Sequence, residues 1–163
     1  MFRKMRRKKQ KLSIEECEKL LHDGTSGVLS LCGNDGYPYG VPLSYVYDDS
    51  RLIFHCATEG RKLDIIRENP KASFCVIGKD QIVSDEYTTY FQSVMVSGSV
   101  KIIENAQEKQ AAAEILGLRY APDDSHVHLK EVIRHSWKRL CMLEMSIDHI
   151  SGKQAIELAA SKQ

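Results

Sequence analysis

The chain has 163 residues, 42% of them hydrophobic and 28% charged, with a formal net charge of +1. That length suffices for one domain with a sizeable core, and the composition is ordinarily globular. No run of about 18 apolar residues occurs, which excludes a membrane-spanning helix; the N-terminus lacks the apolar centre of a secretory signal, so a cytoplasmic protein is expected.

The first eleven residues, MFRKMRRKKQK, carry seven Lys/Arg and no acid, leaving the rest of the chain at −6. Such an arm suits nucleic acid or an anionic membrane. The acidic remainder argues against nucleic acid as the main partner, so the arm is expected against its own body, a neighbouring subunit or solvent. Residues 1–12 are read as this arm and 13–163 as one domain.

Ser13 and Glu16 fit a capping box, and Leu12 with Cys17 a hydrophobic staple, for a helix that buries Leu20 and Leu21 and stops at Gly24. A strand over Gly27–Cys32 leads into the turn Gly33-Asn34-Asp35-Gly36, whose residues tolerate positive φ. Strands over Tyr39–Tyr47 and Arg51–Cys56 follow, joined at Asp48-Asp49-Ser50. The polar Ser30, Ser44 and Arg51 interrupt apolar runs, as half-buried antiparallel strands require.

A helix over Arg61–Asn69 ends at Pro70. A strand over Ala72–Ile77 precedes the longest β segment, Thr88–Glu104, where Gly98 predicts a bulge or bend. Asn105 and Glu108 start a helix to about Leu118, and a shorter helix lies near Val127–Lys138. The last strand is expected over Leu140–Ile150, ended by Gly152. About six strands and four helices, linked by hairpins, predict an antiparallel barrel with helices packed at its ends.

The most informative segment is Tyr37–Pro70. Gly60-Arg61-Lys62 opens a helix just past a strand, where backbone N–H groups, the helix dipole and two cations converge on one anion. A phosphate-bearing cofactor is the natural occupant. The five cysteines form no C-x-x-C pair, which excludes a zinc knuckle or a thioredoxin motif. Four of them, Cys32, Cys56, Cys75 and Cys141, lie in apolar strand-like runs and read as small buried hydrophobes. His126, His128 and His135 read as a surface cluster, and no metal site is expected.

The segments MFRKMRRKKQ, GTSGVLSLCGNDGYPYGVPLSYVYDD, FHCATEGRKLD, TTYFQSV, WKRLC and HISGKQAIEL run in order over essentially the whole chain. Together they resemble the 5-nitroimidazole-resistance (Nim) proteins, within the larger pyridoxamine 5′-phosphate oxidase-like group of flavin proteins. The resemblance implies a mainly antiparallel, FMN-binding split β-barrel with flanking helices. It also implies a homodimer with two FMN molecules at the subunit interface, each touched by both chains.

Under that resemblance Arg61 and Lys62 hold the FMN phosphate, and Pro42, Leu43 and Ser44 run along the isoalloxazine. Pro42 has no N–H to donate and belongs at an edge or bulge. His55 lies near the ring as proton donor or substrate anchor, with Cys56 and Ala57 beside the cofactor. Ser93 offers a polar side chain, and Lys153 approaches the neighbouring subunit's FMN. Tyr90, Phe91 and Trp137 roof the flavin or the dimer seam, with core packing the alternative.

The activity so implied is an FMN-dependent oxidoreductase acting on nitro groups of the 5-nitroimidazole type or on other small electrophiles. The alternative is a non-catalytic flavin or haem carrier of the same barrel, with His55 or His149 as an axial haem ligand. The C-terminal ISGKQAIELAASKQ has only Lys153 and Lys162 as bases and no Arg pair, which argues against a pyridoxamine phosphate substrate. Without a G-x-G-x-x-G fingerprint, an NAD(P)H donor is expected to bind transiently against the flavin.

Overall fold

Every strand pairs antiparallel with two neighbours in a closed six-stranded barrel, in a computed structural model that describes residues 2–160. Lys162 lies outside these residues. In chain order the elements are α1 (Ile14–Asp23), β1 (Ser26–Cys32), β2 (Pro38–Asp48), β3 (Arg51–Cys56) and α2 (Arg61–Glu68). Then come β4 (Lys71–Val83), β5 (Thr88–Ile102), α3 (Ala106–Tyr120), α4 (His126–Ser136), β6 (Cys141–Gln154) and the short α5 (Ile156–Ala160). Around the barrel the order is β1-β2-β3-β6-β5-β4.

Local chemistry explains most boundaries. Ser13 and Glu16 form the full capping box of α1, while Asn105 and Ser125 cap α3 and α4 through side-chain oxygens. The β2–β3 hairpin turns through Asp49 and Ser50, both at positive φ, the geometry that matches strand twist. Along each strand alternate residues point inward. Tyr45, Phe54 and Phe74 meet edge-to-face at the barrel centre, with centroids 5.0 Å apart in both pairs. Cys17 and Leu21 of α1, with Leu12 just before it, cover this core, as do Leu63 and Ile66 from α2.

Two helices therefore seal the barrel as expected, whereas α3 and α4 lie on its outer wall. Leu116, Leu129 and Ile133 bury the outward Val46, Ile53 and Met142 of β2, β3 and β6 in a second core. Other expectations also change. Strand β4 continues to Val83 through a polar run, because it bulges between Ile77 and Lys79 and then pairs with Thr88–Gln92 beyond the barrel proper. Gly152 does not end β6 but lies inside it, paired with Val94. A Cβ there would press on Leu12 and on the Cys17 sulfur, so the missing side chain is what admits α1. Cys32 is exposed, on an outward position of β1, and Cys56 and Cys75 are only partly buried.

The basic arm is held against its own barrel. Lys8–Gln10 form a 3-10 turn with Gln10 buried, Lys11 bridges to Lys153, and Leu12 N–H donates to Gly152 O at 3.0 Å. Phe2 stacks on His149 at 4.4 Å.

Candidate functional site

Strand β2 pairs with β3 only through Tyr45–Asp48, while Pro38–Ser44 pair with β1 alone. The barrel therefore opens between β2 and the chain leaving β3, exposing unpaired backbone groups along one lip. Pro42 sits on that lip, outward and exposed, as its missing donor requires. Ser44, one position beyond the last β2–β3 pair, stands next to His55. Leu43 faces the barrel core, leaving its backbone toward the opening.

Ser44 and His55 line a cleft of about 350 Å³ roofed by α3 and α4, with Leu116, Tyr120, Ile133 and Met142 among its walls. Its surface is mainly apolar, with a few convergent polar groups, the make-up of a small-molecule site. The His55 side chain is exposed, and its ring nitrogens have no hydrogen-bond partner among the described residues. The Tyr120 hydroxyl accepts from Tyr45 N–H at 3.1 Å and lies 2.7 Å from Tyr45 O and 2.5 Å from Thr25 O, latching α3 onto β2. No sequence pattern near Tyr120 announces this role, since its partners lie 75 and 95 residues away.

The other lip runs from His55 through Cys56 and Ala57 to α2. Gly60 takes φ 131°, open to glycine alone, and supplies no side-chain cap, so the first N–H groups of α2 face outward. Arg61 reaches back across the opening. It ion-pairs with Asp35 of the β1–β2 turn and covers the Tyr39 ring at 5.1 Å. Asp35 is a partner the sequence reading missed. Lys62 projects nearby and acts on the two thiols below.

Cys56 and Cys141 are direct partners across β3 and β6. Hydrogen bonding between the thiols divides their behaviour. It favours the Cys141 thiolate, lowered to about 7 with further help from Lys109, Arg67 and Lys62. The same bond, with burial, pushes the Cys56 thiol up. This juxtaposition also escaped the sequence, because nothing local tells β3 that its neighbour is β6.

Eight of the ten expected cofactor contacts thus gather at the opening. The other two, Ser93 and Lys153, are register partners on β5 and β6, with Lys153 Nζ 5.3 Å above the Phe91 ring. Within one chain they lie away from both lips. Tyr90 donates to Glu86 at 2.8 Å. Trp137 packs in the second core under Lys109 and does not line the His55 cleft. On the exposed face of α4, His128 contacts Asp124 and His135 contacts the Glu131 carbonyl, and among the described residues no group of ligands could hold a metal. No helix among them is long and apolar enough to cross a membrane.

Solved structures share this architecture. A candidate 5-nitroimidazole antibiotic resistance protein from Bacteroides thetaiotaomicron is similar over 88% of this chain and 86% of its own, at 21% identity and TM-score 0.73. An FAD-binding protein from Mesorhizobium loti is similar over 90% and 97%, at 26% identity and TM-score 0.61. An FAD and heme binding protein from Mycobacterium smegmatis is similar over 96% and 81%, at 21% identity and TM-score 0.70. Among curated proteins none matches the sequence significantly. The family profile described as pyridoxamine 5′-phosphate oxidase matches residues 13–154, which span the whole barrel and both lips of its opening; the chain belongs to that family.

Proposed function

We propose that the protein is a homodimeric, cytoplasmic FMN-binding oxidoreductase that reduces nitro groups of the 5-nitroimidazole type or similar small electrophiles. The observation that carries this reading is the opening between β2 and β3, with an apolar cleft at His55 and a basic, uncapped helix start at Arg61. The residues fit the group. Lys62 and the α2 N–H groups would take the phosphate, with Arg61 shared between it and Asp35. The unpaired edge of Val41–Leu43 would meet the polar rim of the ring, and the cleft its apolar face. When bound, the flavin would accept two electrons from a nicotinamide donor and pass them to the substrate. His55, with no competing partner among the described residues, would hold the substrate's polar group and supply a proton there.

A dimer would bring the partner's Ser93 and Lys153 to an opening that one chain leaves without them. Their position away from the lips supports a site completed by a second copy. The His55 ring, without a hydrogen-bond partner among the described residues, also suits the alternative of a haem or flavin carrier without turnover.

The visible spectrum of the purified protein, before and after Arg61→Gln with Lys62→Gln, tests the reading. We expect a flavin spectrum, released as FMN on heating, with flavin content at least tenfold lower in the double variant while circular dichroism is unchanged. Equal flavin content would remove the phosphate assignment, and a haem Soret band would establish the carrier.

A further inference from the structure

A second concave site lies between the basic arm and the end of β6. Arg3, Lys4, Lys8 and Lys11 converge there with His149 around a cleft of about 610 Å³, and among the described residues no Asp or Glu lines it. None of the four cations is in an ion pair among the described residues. The nearest carboxylate on β6, Asp148, is engaged by Lys71 at 3.0 Å. The arm that carries these exposed cations is itself held against the barrel. Gln10 is 5% exposed, Lys11 bridges to Lys153, and Phe2 is stacked on His149.

Four like charges gathered around one concavity repel one another, and an anion placed between them relieves that repulsion. The size and shape indicate which anion. A water fills roughly 30 Å³, so the cleft accepts a ligand many times larger than a lone phosphate. Phe2 is half exposed, stacked on the His149 ring, and offers a planar surface for a base. A long nucleic-acid strand fits less well, since the chain beyond residue 11 carries a net −6 and would repel phosphates outside the cleft. The geometry points to a site for the phosphate chain of a soluble nucleotide, separate from the seat at Arg61 and Lys62.

Calorimetric titration of the full chain with ADP tests this, with adenosine as the uncharged control. ADP should bind saturably at one site per chain, while adenosine should not. Affinity should fall at least tenfold in the Arg3→Gln, Lys4→Gln, Lys8→Gln, Lys11→Gln variant and again between 50 and 200 mM salt, roughly as counterion release demands. It should be unchanged in Arg61→Gln with Lys62→Gln, which separates this site from the flavin reading. Absence of saturable ADP binding, equal affinity in the arm variant, or loss only in the Arg61/Lys62 variant would overturn the proposal. So would a single-stranded oligonucleotide that binds the arm more tightly than ADP and displaces it.

Discussion

Cys17 shows how burial at one residue sets a pH limit on the fold. It sits under the arm against Leu12 and Gly152. Burial, with Glu16 adding and Lys11 opposing, pushes its thiol up from 9.0 to about 11. The proton is thus held more tightly in the folded chain than in the unfolded one. Stability from this group is complete below about pH 9 and is lost as pH rises through about 11. Two units correspond to about 2.7 kcal/mol at most. Urea midpoints should therefore fall between pH 9 and 11 in the wild type, and the gap to Cys17→Ala should narrow over that range. Parallel midpoint curves for the two proteins would show that the thiol stays unlinked to folding. That Cys17 belongs to a helix staple was legible from its spacing to Ser13. That the covering surface is a glycine of the last strand was not.

At the scale of elements, the docking of α1 on β6 depends on that glycine. The Cβ introduced by Gly152→Ala would meet Leu12 Cβ at 2.9 Å and the Cys17 sulfur closer still. Overpacking of this kind costs about 1–3 kcal/mol. Because Leu12 N–H also donates to Gly152 O, displacement of α1 loosens the arm with it. We expect an unfolding free energy in urea lowered by that amount and faster tryptic cleavage between residues 3 and 11, measured by mass spectrometry. Undisturbed cleavage would mean that the arm is anchored by Phe2 and Gln10 instead. Helix starts at Ser13, Asn105 and Ser125 were readable because a cap and its N–H partners lie within three residues. The placement of α3 on the barrel wall was not, because Tyr120 and Arg119 reach partners some 75 to 97 residues away.

For the whole molecule, one outward rank is partly exposed, and its β6 end borders the arm cleft. Pro42, Val28, Cys75, Met95 and Ser151 are successive register partners across β2, β1, β4, β5 and β6. Val28 and Met95 are 41% and 44% exposed, and Ile77 beside them 68%. An apolar band of this kind, continuous with the Pro42 lip, suits contact with a second copy. The proposed dimer predicts that Met95→Glu sediments as a monomer and carries less flavin than the wild type. A dimer that persists with full flavin would place the interface elsewhere.

The sequence by itself determined the antiparallel class, the hairpin at Asp49-Ser50, the capped helices and the basic turn at Arg61, since each depends on chemistry within a few residues. Only the tertiary structure decided the rest. It set β3 beside β6 and so paired Cys56 with Cys141, tied Arg61 to Asp35, roofed His55 with α3 and α4, and folded the arm onto β6. Barrel closure joins segments far apart in the chain, and which side chains then face one another depends on the register of all six strands at once.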